Sequence, residues 1–352
     1  MNRAFACAAA VGAVLGLFAE APDAASAREV AVARGARFLL SQQCDDGHWS
    51  DPHVPALTAL PVWALSCSGT DVGDVIDKGV AFVLSTQRDD GGFYVPKPGR
   101  GGGGLGNYNT SVCLSALFES GRAPVQAMLN ARQFLASSQL TGDDNVAGGF
   151  GYERVSRRRY ADLSNTAYAV DAMRRTEAIE ELRAGRRADL DWGAAVAFVE
   201  NLQANDPADR ADRGGAAYNA RTTPGRGLRA YGSMSYAAVL SMCCARLSRA
   251  DPRVRSTLEY CARHWTVDEN PGMGAQGFYY YCDILARALA AAEVDTLQAE
   301  DGRTIDWKRE LADRLVGLQR EDGSWVNDNN RFWEADPVLC TSFALLALEL
   351  CR

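Results

Sequence analysis

One pattern recurs along this chain and narrows what it can fold into. GARFLLSQQCDDGHW (35–49), GVAFVLSTQRDDGGF (79–93) and RLVGLQREDGSW (314–325) each hold an apolar helical stretch, a Gln, acidic residues, a Gly, one further residue and an aromatic side chain. ARQFLASSQ (131–139) and AVAFVENLQ (195–203) repeat the helix and the Gln, with longer turns that end in GGFGY (148–152) and GGAAY (214–218). TLEYCARHW (257–265) is a sixth copy without the Gln. After each turn comes a second stretch, richer in small and apolar residues, at 56–67, 109–120, 164–175, 233–247, 279–293 and 337–350. Its apolar positions recur every three or four residues, the period of a helix. Asp, Asn or Ser precedes most of these stretches, as N-caps do. Strand alternation is not evident.

The repeat decides the architecture. A single pair of amphipathic helices cannot bury its apolar face, so copies stack side by side. Six pairs, twelve helices in all, can close into a ring. The second helix of each pair is apolar nearly all round, which suits an inner wall. The first carries Arg, Lys and Glu on one side, which suits an outer ring. No linker interrupts the copies, so residues 28–352 form one expected domain of all-α (α/α)6 toroid class.

Composition excludes several functions. The chain has 352 residues, 47% hydrophobic and 23% charged, the balance of a soluble globular protein. A net charge of −7 gives neither nucleic acid nor anionic lipid a basic surface to bind. Residues 1–27 read as a signal peptide: one early positive charge, an apolar run, and Ala25-Ser26-Ala27 as a small-residue cleavage site. The competing reading is a first buried helix. The mature protein is then expected outside the cytoplasm, periplasmic or extracellular, with no transmembrane anchor left after cleavage. Nine cysteines remain beyond Cys7, most of them in apolar helical runs, where a thiol behaves as a small hydrophobe. No CxxC pair occurs, and His48, His53 and His264 do not stand at metal-ligand spacing from the cysteines. Neither a metal nor a cofactor is expected.

The helix–Gln–acidic–Gly–x–aromatic unit resembles the QW repeat of the prenyltransferase and squalene-cyclase superfamily. Its clearest copies are Gln42 to Trp49 around Gly47, Gln87 to Phe93 around Gly91, and Gln319 to Trp325 around Gly323. The resemblance covers nearly the whole mature chain. It implies a toroid with a pocket at the N-terminal ends of the inner helices. The repeat residues themselves read as structural staples. Gln satisfies orphan backbone groups of a neighbouring helix end, Gly permits a sharp turn, and the aromatic ring packs over it.

Two chemistries belong to this resemblance, and each can be compared with the sequence. The triterpene-cyclase signature, Asp-x-Asp-Asp-Thr-Ala, starts an inner helix. Here the matching segment is Asp162-Leu163-Ser164-Asn165-Thr166-Ala167. The first Asp, the Thr and the Ala match. The proton-donating acid falls on Ser164, which cannot serve. Asp162 is the one signature carboxylate left, to act either as an acid or as a helix cap. Protein prenyltransferases hold zinc with Asp, Cys and His. FYYYCDILARAL (278–289) is similar to the segment that carries the His, but that position is Tyr280; GSMSYAAV (232–239) lacks the Asp and the Cys.

Further candidates fall at the expected rim: His53; Tyr108 and Asn109; Tyr280, Tyr281 and Asp283; Trp333, Glu334 and Asp336. Asp336, like Asp162, occupies an N-cap place. The glycine-rich GRGGGGLGN (99–107) lacks the Lys-Ser/Thr of a phosphate loop and reads as a loop, able to act as a flap. The leading expectation is an apolar, aromatic central cavity that binds, or transforms by other residues, an isoprenoid-like small molecule. The alternatives are a polysaccharide-binding or polysaccharide-cleaving toroid, with Trp333 and Tyr280 beside Glu334 and Asp283, and a protein-interaction scaffold.

Overall fold

A computed structural model describes residues 24–352 except 71, 97–103, 155–157, 206–209 and 221–228; side chains are described from residue 27. The signal-peptide segment up to residue 23 and most of the glycine-rich loop therefore lie outside the described residues.

Among the described residues, twelve α-helices alternate between two concentric rings. The outer helices are α1 (Ala24–Ser41), α3 (Gly73–Ser85), α5 (Val125–Ala136), α7 (Trp192–Leu202), α9 (Pro252–Arg263) and α11 (Trp307–Leu318). The inner helices are α2 (Ala56–Cys67), α4 (Gly106–Ser120), α6 (Leu163–Arg175), α8 (Gly232–Cys244), α10 (Phe278–Ala291) and α12 (Pro337–Leu350). Inner helices pack in sequence, α2 on α4, α4 on α6, α6 on α8, α8 on α10 and α10 on α12; α12 then packs on α2 and closes the circle. The fold is the all-α (α/α)6 toroid. Helix α1 begins ahead of the expected cleavage site and runs through it. The sequence reading omitted a two-stranded hairpin, Leu297–Gln298 paired with Thr304–Ile305, which is too short to carry an alternation.

Burial explains the division of labour. In α2 and α8 nearly every residue is buried, because each inner helix is covered by two inner neighbours and an outer partner. The outer helices bury one stripe: α3 buries Ile76, Gly79, Val80 and Val83.

The repeat's glutamines stitch the outer ring. Gln87 donates through Nε2 to the Gly91 carbonyl (3.0 Å) and to the Ala127 carbonyl in the first turn of α5 (2.9 Å). Gln319 repeats this at Gly323 (2.9 Å) and at Ala31 of α1 (2.8 Å), joining the last pair to the first. In the first copy the stitch is Gln43, not the expected Gln42: Gln43 reaches Gly47 (3.1 Å) and Val75 (2.9 Å), while the Gln42 side chain bonds its neighbour Ser41. The reason is register, because Gln43 alone stands four residues before the turn glycine, as Gln87 and Gln319 do. Each stitch also ends on carbonyls already inside the next outer helix, and not on orphan groups at a helix end. In the copy without a Gln, Trp265 takes the place, its Nε1 donating to Glu310 of α11 at 2.7 Å.

The turn glycines are required. Gly47, Gly91 and Gly323 have φ between +90° and +93°, and a Cβ on any of them would lie within 2.6 Å of a backbone carbonyl oxygen of an outer helix. Trp49, Phe93 and Trp325 are fully buried over these turns. Their backbone N–H groups donate to inner-helix threonines Thr58, Thr110 and Thr341 (3.1, 2.9 and 3.1 Å), tying each turn to the inner ring.

Candidate functional site

A pocket of about 540 Å³ opens at the N-terminal ends of the inner helices. Five of them contribute residues from their first two turns: Tyr108 from α4, Ser164, Asn165 and Tyr168 from α6, Met234 from α8, Tyr280 from α10 and Phe343 from α12. Loops before the helices add Tyr152, Tyr218, Tyr231 and the segment 330–334. Six of the lining residues are tyrosines. Tyr168 meets Tyr108 edge-on with centroids 5.3 Å apart and lies 6.0 Å from Tyr280, and Tyr280 touches Phe343 at 6.1 Å. At the mouth Phe332 and Trp333 are about half exposed. Both hold left-handed backbone (φ +62° and +65°), an arrangement that costs bulky residues energy and gathers at binding sites.

The polar groups of the rim are mostly helix caps. Asp162 caps α6: Oδ1 accepts from Asn165 N and Oδ2 from Asn165 Nδ2, both at 2.8 Å. The carboxylate is wholly buried and also accepts from Tyr160 and Tyr218. Burial pushes its pKa up to about 6, against the pull of these four donors. The Tyr218 hydroxyl lies 3.0 Å from that of Tyr152, so hydrogen bonds run from Asp162 to two lining residues. Glu334 is fully buried and caps α10 from outside it. Oε1 accepts from Tyr280 N at 2.9 Å, and Oε2 from Asn327 Nδ2 at 2.6 Å. Desolvation raises its pKa to about 7. Asp336 caps α12 through Val338 N (2.8 Å). Asn109 is buried, accepts from Ala56 N at the start of α2 (3.2 Å) and donates to Gly104 O (2.7 Å).

Of the sequence candidates, Tyr108, Ser164, Asn165, Tyr280, Trp333 and Glu334 come together in the lining, and Ser164 Oγ bonds the Tyr280 hydroxyl at 3.2 Å. Others do not. His53 is exposed and bonds its neighbour Asp51 at 3.0 Å, because α2 adds nothing to the lining. Tyr281 turns away, its hydroxyl donating to Thr266 O (2.7 Å), since successive helix residues point about 100° apart and Tyr280 takes the inward direction.

Asp283 lies one turn below Tyr280, in a buried charge cluster that fills the ring's axis. Arg287 donates to Asp171 (2.5 Å) and Asp283 (3.1 Å), and lies over the rings of Trp63 and Tyr168 at 5.1 and 5.6 Å. Arg175 adds Asp171 (3.5 Å) and Glu119 (2.6 Å). The expected apolar hollow is thus a shallower, tyrosine-rich cup with a charged plug beneath it. Sequence reading missed Tyr152, Tyr168, Tyr218 and Tyr231. The signal for two of them was present: Tyr152 and Tyr218 end the long turns GGFGY and GGAAY, each two residues beyond the aromatic place.

No group of three metal-ligating side chains occurs among the described residues, and Tyr280 hydrogen-bonds Ser164 at the place where the resemblance to zinc-holding prenyltransferases implied a His. The donor set does not fit a zinc site.

No family model matches the chain, and no curated protein sequence matches it. Solved structures do match, along nearly its whole length. The chain has the fold of the prenyltransferase and terpenoid-cyclase superfamily. It is similar to the type II terpene cyclase MstE from Scytonema, with 13% identity over 93% of this chain and 98% of that one, TM-score 0.57. It is also similar to the protein geranylgeranyltransferase-I of Candida albicans (12%, 91% and 90%, TM-score 0.54). A family 76 glycoside hydrolase from a bovine Bacteroides thetaiotaomicron strain has the same architecture (12%, 91% and 77%, TM-score 0.58). At such identities the likeness is one of fold, and function must be argued from the site.

Proposed function

We propose that this protein is exported and binds an isoprenoid-like small molecule in the tyrosine-lined cup. The observation that carries the reading is a pocket of about 540 Å³, walled by aromatic rings, whose neighbouring carboxylates are engaged as helix caps. Export rests on the residue pattern of the first 27 positions. Support for the ligand class comes from the neighbours, since a variant of MstE holds geranylgeranyl dihydroxybenzoate as substrate.

Binding is preferred to cyclase chemistry because protonation of an alkene needs a strong acid aimed at the ligand. Ser164 stands at that position as a hydroxyl. Asp162 lies behind Asn165 and is held by four hydrogen bonds. The sugar-cleaving alternative needs two carboxylates facing one bond. Asp283 is instead paired with Arg287, and Glu334 with the start of α10.

The test is calorimetric titration of the mature chain with farnesol and with a panel of oligosaccharides. Saturable farnesol binding that leaves the farnesol unchanged is expected. Saturable sugar binding without farnesol binding overturns the reading. Conversion of a prenyl substrate that disappears in Asp162→Asn overturns the preference for binding.

A further inference from the structure

The mouth of the cup is held in a form that the fold alone does not favour. Among the described residues six large apolar side chains are exposed, and three of them, Tyr152, Phe332 and Trp333, line this one pocket. The other three, Val30, Val125 and Leu182, are aliphatic and lie outside it. Phe332 and Trp333 are also consecutive residues in left-handed backbone, at φ +62° and +65°. Bulky residues avoid that region, and large rings avoid water. Strain and exposure at the same two positions call for a compensating gain. The segment that carries them is pinned at its neck. Asn327 N donates to the Glu334 carbonyl at 2.9 Å, so the ends of 327–334 meet and the residues between form a compact loop. Asn327 Nδ2 donates both to Glu334 Oε2 and to Ala275 O, each at 2.6 Å. Glu334 Oε1 accepts from Tyr280 N at 2.9 Å, at the start of α10, where Gly277 supplies no side-chain cap. Cys340 Sγ of α12 donates to the Glu334 carbonyl at 3.0 Å. The neck is therefore buried and tied to two inner helices, while the tip is exposed. The Phe332 ring lies against Gly277, 3.3 Å from where a Cβ would stand.

We propose that Phe332 and Trp333 form a lid that lies over an apolar ligand seated in the cup, and that Glu334 positions the lid by fixing its neck to the first turn of α10. The inference rests on the apolar-pocket reading above and names the residues that close that pocket. On binding, the two rings pass from water to the apolar surface of the ligand, which offsets their exposure and strain. Glu334 caps the same helix that carries Tyr280, so the lid and one wall of the cup keep a fixed relation.

The experiment reads Trp333 by fluorescence, since among the seven tryptophans it alone is exposed. Farnesol binding is measured by calorimetry, and acrylamide quenching with and without farnesol, in wild type, Trp333→Phe, Phe332→Gly and Glu334→Gln. The difference between wild type and Trp333→Phe isolates the Trp333 signal. Saturating farnesol should cut the quenching of Trp333 at least about twofold, as a half-exposed ring becomes covered. Phe332→Gly should bind farnesol about fivefold more weakly, the worth of one lost ring contact. It should melt no lower than wild type, because glycine holds φ +62° without strain. A ring that served the fold alone would lower the melting temperature instead. Glu334→Gln sets an amide N–H against a donor, either Tyr280 N or Asn327 Nδ2, whichever way it turns. Quenching of Trp333 in the ligand-free variant should therefore rise. Farnesol binding that leaves Trp333 quenching unchanged overturns the lid and leaves the apolar pocket standing. So does a Phe332→Gly chain that binds as wild type does, or that loses affinity only together with melting temperature. Unchanged quenching in Glu334→Gln overturns its positioning role. Absence of farnesol binding overturns the pocket reading itself, and the lid with it.

Discussion

Arg287→Met tests the charged plug beneath the cup. Arg287 is 5% exposed and lies between Asp171 and Asp283. The two carboxylates differ in what remains without it. Asp171 keeps Arg175 at 3.5 Å, and the two guanidinium groups hold its pKa below the usual carboxylate range despite burial. Asp283 has Arg287 as its one salt-bridge partner, and its Oδ1 has no partner among the described residues. Burial wins there and raises its pKa. Removing the guanidinium therefore strands Asp283. Breaking one side of a buried ion pair costs about 3–5 kcal/mol, and a pair at about 4 Å with an effective dielectric of about 20 is worth about 4 kcal/mol. We expect Arg287→Met to lose about 3–5 kcal/mol in urea unfolding at pH 7. Adding Asp283→Asn should recover about 1–3 kcal/mol, since the neutral amide sheds most of the desolvation cost. The pH dependence has a definite sign. A carboxyl whose folded pKa lies above its unfolded value binds more protons when folded, so its destabilising effect fades as pH falls toward the unfolded pKa. The single variant should thus lose less at pH 5 than at pH 7. A loss under about 1 kcal/mol, or a double variant no more stable than the single one, refutes the reasoning.

Three further outcomes follow from the fold and the rim. Gly148→Ala should cost at least about 3 kcal/mol in thermal unfolding, because φ is +85° and the new Cβ would sit 2.0 Å from the Ala194 carbonyl oxygen; Gly69→Ala, at φ +68° in open space, should cost about 1 kcal/mol. Gln319→Ala removes one bond to α1 across the ring's closure and one within its own turn, and should lower stability by about 1–2 kcal/mol, whereas Gln42→Ala should change it by less than about 0.5 kcal/mol in the same denaturant assay. Both Asp162 and Glu334 have folded pKa values raised by burial, to about 6 and about 7, so their ionisation opposes folding at neutral pH. The wild-type melting temperature should rise as pH falls from 8 toward 5, and Glu334→Gln should flatten the upper part of that rise.

Several site features were legible before the structure, because their causes are local. An N-cap depends on the residue at a helix start and its next few neighbours, so Asp162 and Asp336 could be placed from sequence alone. The glutamine stitch was legible too, but counting back four residues from the turn glycine, as Gln87 and Gln319 require, selects Gln43. The run Tyr279-Tyr280-Tyr281 could not be resolved so simply. One of three consecutive helix residues faces the axis, and its identity depends on how α10 is rotated against α8 and α12. Glu334 read as a rim acid because nothing near it in sequence shows that it caps a helix more than 50 residues earlier.

The sequence by itself determined the ring. Six copies of one short-range pattern, each unable to bury its apolar stripe alone, admit few arrangements other than stacked helical pairs. The tertiary structure decided what the ring encloses. The cup and the plug are made of groups that meet across the circle, such as Ser164 with Tyr280 and Asp171 with Arg287, each pair 116 residues apart. Repeat periodicity sets which helices are neighbours and which stripe turns inward. It says nothing about which inward side chain meets which across the axis, and there charge, hydrogen bonding and burial turned an expected apolar hollow into a tyrosine cup over buried ion pairs.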